Sequence, residues 1–178
     1  MNFKRTPIQD LFIIEQSFTQ DSRGAFVKNF QESVFKENEL EYDFRESYYT
    51  ESHEKVIRGM HFQTLPYDHA KLITVISGTI IDVVLDIRKT SKTYGRHFEI
   101  ELSRKNNKSL YIPRGLAHGF GVLSNLAIAY YLVTSEYNPK YDKGILFNSF
   151  GFSWPIDKPI ISERDSGFTV FNDFQSPF

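Results

Sequence analysis

Two of the five histidines stand where a side chain can move protons. In Arg58-Gly59-Met60-His61-Phe62-Gln63 a histidine lies among residues that alternate like a strand, and Gly59 leaves room for another group to approach. In Pro113-Arg114-Gly115-Leu116-Ala117-His118-Gly119-Phe120 a second follows a turn and re-enters a strand at Phe120. Imidazole ordinarily titrates near neutral pH, so it serves as base, acid or metal ligand. An isolated histidine more often holds a structural hydrogen bond. Two of them in one small chain, each near Gly and Arg, leave the structural and functional readings evenly matched.

Metal ligation is the first chemistry to weigh. Metal sites in jelly-roll barrels take two histidines one residue apart, a carboxylate soon after, and a third histidine on a later strand. Here Phe62-Gln63 follows His61, His69 lies eight residues on, and no adjacent carboxylate completes a set. No metal is expected. The chain has no Cys, no Gly-x-Ser-x-Gly turn and no Gly-rich phosphate loop, and no cofactor is expected either. What remains is acid–base chemistry from His, Tyr, Lys and Asp, with several Arg to receive an anionic ligand.

The elements that must position these groups read as strands. From Thr79 to Arg88, Thr79, Ile81, Val83, Leu85 and Ile87 share one face, with Asp82, Asp86 and Arg88 on the other, the period of a half-buried strand. Ser77-Gly78 predicts a tight turn from the preceding strand Leu72–Ile76. Phe98, Ile100 and Leu102 alternate with Glu99 and Glu101, and Ala127–Val133 is apolar on both faces. Only Glu32–Leu40 looks helical, and the tail from Pro155 is expected to wrap the body as loop and short helix. Short strands between Gly, Pro and Asn turns predict an all-β sandwich or jelly-roll barrel, with residues 1–178 forming one domain. A net charge of −1 offers no basic surface for nucleic acid, and no run is long and apolar enough to span a membrane. The N-terminal residues lack the apolar stretch of a signal peptide, so a cytoplasmic location is expected.

Several segments, in order and spacing, carry a resemblance that none carries alone. They are Asp21-Ser22-Arg23-Gly24-Ala25-Phe26, Val56 through Gln63, Lys71-Leu72, Asp82 through Arg88 and Ser91 through Gly95. Ile112-Pro113, Ala117 through Phe120, Val122-Leu123-Ser124, Tyr137-Asn138-Pro139, Gly144-Ile145, Trp154-Pro155 and Ser162-Glu163-Arg164-Asp165 complete the set. Nearly end to end, the chain resembles the dTDP-4-dehydrorhamnose 3,5-epimerase family. The resemblance implies a cupin double-stranded β-helix, a jelly-roll barrel with short peripheral helices. It also implies a homodimer that exchanges its N-terminal strands. By position it makes His61 the base, Asp165 its orienting carboxylate, Tyr131 the acid on the opposite sugar face, and Lys71 the cation facing an enolate. Arg23, Arg58 and His118 fall where the family holds the diphosphate, Arg23 in the neighbouring subunit's site. Phe26, Tyr137 and Arg164 join the substrate-binding set, and Lys28, Glu46 and Tyr48 border the thymine pocket. Read without the resemblance, Tyr131 also fits a core position, Lys71 a solvated strand end and Asp165 a turn cap.

The chemistry implied needs these residue types. Losing the hydrogen beside a ketone leaves an enolate, which a cation or donor at the oxygen stabilises. A carboxylate on the far nitrogen of the base fixes the ring and steadies the imidazolium. Inversion requires a proton returned from the other face. The departures bear on the substrate: Lys28 stands where the family is usually acidic, Glu46 and Tyr48 replace a usual Gln and Asn, and His69-Ala70 replaces Gln-Gly. A Glu46 carboxylate suits the paired N–H edge of guanine, which favours a GDP-4-keto-6-deoxy-heptose of capsule biosynthesis. The dTDP-hexose is the alternative. A 3,4-ketoisomerase and a non-catalytic sugar-binding cupin are the rival classes.

Overall fold

The computed structural model describes residues 1–178. Its strands run β1 (Asn2–Arg5), β2 (Phe12–Glu15), β3 (Ser17–Asp21), β4 (Gly24–Lys28), β5 (Glu46–His53), β6 (Ile57–Gln63) and β7 (Lys71–Ser77). They continue with β8 (Thr79–Asp86), β9 (His97–Ser103), β10 (Lys108–Ile112), β11 (Leu116–Val122), β12 (Leu126–Val133) and β13 (Asp142–Gly144). Helices α1 (Glu32–Glu37) and α2 (Glu163–Ser166) are short. One sheet has the order β1-β2-β10-β7-β12-β5, and a second has β13-β6-β11-β8-β9. Strands β3 and β4 form a separate hairpin. The two large sheets close face to face as the expected jelly-roll barrel.

Three apolar layers explain why so many strands are buried on both sides. Between the sheets lie Ile73 and Val75 of β7, Leu110 and Ile112 of β10, Ile80 and Val84 of β8, and Phe120 of β11. Outside the six-stranded sheet, Phe35 of α1 packs on Ile14, Leu72 and Tyr111. Outside the other sheet, Met60, Phe62, Val83, Leu85 and Ile87 are covered by tail residues that include Phe171, Phe174 and Phe178.

This layering corrects one expectation. Strand β8 is not half-buried with its aspartates in solvent: Asp82 and Asp86 are fully buried. Alternation places Asp82 with Ile80 and Val84 on the barrel interior, while Val83 and Leu85 meet the tail. Asp86 is satisfied by Arg88, Ser91 and Thr93, whereas only Oδ2 of Asp82 is paired, with His118.

Candidate active site

The site begins with an irregularity in β6. His118 pairs with His61 and Phe120 with Arg58, so three steps along β6 match two along β11. The extra residue is a β-bulge, which lets Arg58 and His61 both face the interior while Met60 between them enters the outer core. Gly59 makes the bulge possible. Its φ is +129°, and a Cβ there would lie 2.4 Å from Gly119 Cα.

Two His–Asp pairs follow. His61 Nε2 lies 2.8 Å from Asp165 Oδ1, and Asp165 Oδ2 accepts from Gly59 N at 3.0 Å. Asp165 is held in place by Ser162, whose hydroxyl accepts from Asp165 N at 3.1 Å and caps α2. Burial alone would raise the Asp165 carboxyl, but the bond and charge of His61 and the Gly59 and Ser162 hydrogen bonds outweigh it, leaving it below the usual range. With Nε2 engaged, Nδ1 is the ring nitrogen of His61 left for a substrate proton. Deeper in the barrel, His118 Nε2 lies 2.8 Å from Asp82 Oδ2, and Asp82 Oδ1 is buried without a partner. Burial pushes His118 down against the pull of Asp82, so it meets a ligand as a hydrogen-bonding group more than as a cation.

The six-stranded sheet supplies the facing wall. Tyr131 and Val133 of β12, Lys71 of β7, and Glu46, Tyr48 and Thr50 of β5 line the same cavity, of about 330 Å³, as Arg58, His61 and His118. Lys71 is buried, donates to the His61 carbonyl at 3.4 Å, and is pushed down to about 8 by burial against the pull of Asp142 and Asp82. Burial raises the phenol of Tyr131 well above its usual value, so it is protonated at neutral pH. Tyr48 is likewise raised by burial.

Of the binding residues expected from sequence, Arg58, His118, Glu46, Tyr48, Tyr137 and Arg164 line this cavity. Arg23, Phe26 and Lys28 do not; they sit on the β3–β4 hairpin, where Arg23 pairs with Asp21 and Phe26 is 66% exposed. Glu46 corrects the argument made for guanine. Its Oε2 accepts from the Tyr137 backbone at 2.7 Å, so its two oxygens are not both open to a base edge. Arg164 bonds Asp142 at 2.7 Å and lies over the Phe168 ring.

Four further residues of the site were not singled out in the sequence: Asp82, Asp142, Gln63 and His69, the last noted only as a departure. Gln63 accepts from Asn138 N at 2.6 Å and faces His69 Nδ1 at 3.1 Å, so it anchors the loop that carries Tyr137. Burial pushes His69 down to about 3, which keeps it neutral. Asp82 sits in an alternating strand that reads as solvent-facing on one side. No three His, Asp or Glu side chains cluster as a metal centre.

The geometry agrees with what similarity to known proteins finds. Residues 5–173 match the family model described as dTDP-4-dehydrorhamnose 3,5-epimerase. The chain belongs to the dTDP-4-dehydrorhamnose 3,5-epimerase family. It is 41% identical over 168 residues to the dTDP-4-dehydrorhamnose 3,5-epimerase of Methanothermobacter thermautotrophicus, covering 92% of this chain and 90% of that one. The crystal structure of dTDP-4-dehydrorhamnose 3,5-epimerase from Elizabethkingia anophelis superposes with a TM-score of 0.92 at 35% identity, covering 97% of each chain. That of the Legionella pneumophila dTDP-6-deoxy-D-glucose-3,5-epimerase in complex with dTDP-4-keto-L-rhamnose superposes at 0.93 and 32% identity, covering 98% of this chain and 94% of that one. As a member of the dTDP-4-dehydrorhamnose 3,5-epimerase family this chain is an isomerase-class epimerase with the cupin fold. None of these relatives supports the GDP-heptose preference, and the dTDP alternative is the better backed.

Proposed function

We propose that the protein epimerises a dTDP-4-keto-6-deoxyhexose at C3 and C5 through an enolate. The observation that carries the reading is that His61 and Tyr131 line one cavity from opposite sheets, with buried Lys71 between the same walls. His61 Nδ1 takes the proton beside the ketone, the C–H electron pair becomes part of the enolate double bond, and the carbonyl pair moves onto O4. The Lys71 ammonium balances that charge. Tyr131 Oη returns a proton to the opposite face and is itself reprotonated from solvent. His61 then gives its proton to water, so each cycle ends with the groups as they began.

The thymidine nucleotide is favoured by the names of the relatives and by the partly committed Glu46. Arg58 and His118 are assigned to the diphosphate. The β3–β4 hairpin, with Arg23, Phe26 and Lys28, is assigned to the site of a second copy, since its strands pair only with each other and its Phe18 and Phe26 are exposed. Incubating the protein with dTDP-4-keto-6-deoxyglucose in heavy water tests the reading. Deuterium at C3 and C5 with inverted product is expected. A product whose ketone has moved to C3 would make it an isomerase of another type, and binding without exchange would make it a binder.

A further inference from the structure

Tyr131 and Tyr48 are direct partners across the β12–β5 pairing, and their rings stack with centroids 4.7 Å apart and planes 16° from parallel. His118 meets the same Tyr131 ring edge-on at 6.1 Å and 65°. The environments of the two tyrosines differ. Tyr131 is buried on an inner strand, whereas Tyr48 is 38% exposed on β5, the edge of its sheet. Within the chain β5 ends the sheet, and the Tyr48 ring packs on Tyr131 from that side. Thr50 Oγ1, two residues along β5 on the same face, is buried without a partner. The Tyr48 ring and the nearby Thr50 hydroxyl, both from β5, therefore bear on the phenol, and the ring stack is the contact that fixes the plane of Tyr131. A stacked aromatic pair holds both position and rotation of its rings, which a branched aliphatic neighbour does not.

We propose that Tyr48 is a positioning residue for the acid. Its ring, lying flat on Tyr131, fixes the Tyr131 hydroxyl toward the sugar and so sets how often a deprotonated substrate is inverted instead of being returned to its starting configuration. This rests on the epimerase reading above. Tyr48 also lines the cavity, so its contact with ligand and its support of Tyr131 must be told apart. The partition between exchange and inversion does that. Weaker binding or partial unfolding lowers both events together, whereas a misdirected acid lowers inversion alone, because His61 Nδ1, Asp165 and Lys71 are untouched.

The experiment compares wild type, Tyr48→Leu and Tyr48→Phe with dTDP-4-keto-6-deoxyglucose in heavy water, reading deuterium entry and inverted product by NMR and mass spectrometry. The ratio of inversion to exchange is expected to fall about tenfold in Tyr48→Leu, the scale of a displaced catalytic group. It is expected to return to the wild-type value in Tyr48→Phe, which keeps the stack. An unchanged ratio in Tyr48→Leu overturns the proposal, and so does an equal fall in both variants, which would assign the effect to the hydroxyl. If Tyr48→Leu does not fold, Tyr48→Thr, a good strand former, replaces it with the same criteria. Absence of exchange in wild type removes the epimerase reading itself, and that result is distinct from exchange with an unaltered ratio.

Discussion

Asp165 grips both His61 and the strand that carries it: Oδ1 lies 2.8 Å from His61 Nε2, and Oδ2 accepts from Gly59 N at 3.0 Å. One carboxylate thus sets the tautomer of His61, the proposed base, and pins the bulge that aims it. Asp165→Asn is expected to lower turnover ~10²-fold or more, since an amide no longer balances the imidazolium. Nucleotide affinity, measured by calorimetry with dTDP, should be nearly unchanged. The acid limb of stability should change as well. A carboxyl held low in the folded state stabilises the fold above its unfolded pKa and loses that contribution as pH falls through the folded value. Thermal melts below about pH 4 should therefore depend less steeply on pH in Asp165→Asn than in wild type.

Lys71 makes activity and stability pull in opposite directions. Burial pushes its amine down to about 8, so turnover that needs the ammonium is expected to decline as pH rises through that value. Stability runs the other way. The unfolded lysine holds its proton up to its ordinary pKa of about 10.4, so between about 8 and there the unfolded state binds more protons, and stability rises with pH. Lys71→Met is expected to cost ~10²–10³-fold in kcat while raising the melting temperature at pH 7. A variant that melts lower, or keeps its activity, would remove the buried charge from the mechanism.

Tyr131→Phe separates the two proton transfers. Removal of the proton needs only His61, Asp165 and Lys71, so exchange at the original face should persist while inverted product falls by ~10²-fold or more. Affinity for dTDP measured beside both rates distinguishes loss of the acid from loss of binding. If Tyr131→Phe inverts normally, the acid lies elsewhere, and Tyr137 on the cavity rim is the next residue to replace.

Gly59→Ala tests the bulge directly. The added methyl would meet Gly119 Cα at 2.4 Å and the His118 carbonyl at 2.9 Å, both backbone atoms, at a φ that disfavours any side chain. The expected cost is about 2–3 kcal/mol of stability by chemical denaturation. Activity per folded molecule should fall too, because β6 must move away from β11 and take His61 with it.

The strands were legible because alternation is a local signal. The segments from Leu72, Thr79, Phe98 and Ala127 all appear as β7, β8, β9 and β12. What alternation cannot report is which face lies inside. In β8 the face bearing Asp82 reads as outer and is inner, because the tail that covers Val83 and Leu85 lies far along the sequence. The pairing of His61 with Asp165 bridges 104 positions and was legible only through the family resemblance. Asp142 and Gln63 escaped for a related reason: each looks like an ordinary polar residue until its partner, Arg164 or Asn138, is brought up to it.

The tail that seals the outer sheet is also the segment that carries Asp165. During synthesis the strands of the barrel leave the ribosome before residue 165 does. The strands that carry His61, Lys71 and Tyr131 therefore precede in the chain the carboxylate that His61 pairs with. In the folded protein the tail sets Phe174 and Phe178 against Phe62 and brings Asp165 to the imidazole. Under the proposed mechanism, the carboxylate that orients the base is thus supplied by the same segment that seals the outer sheet.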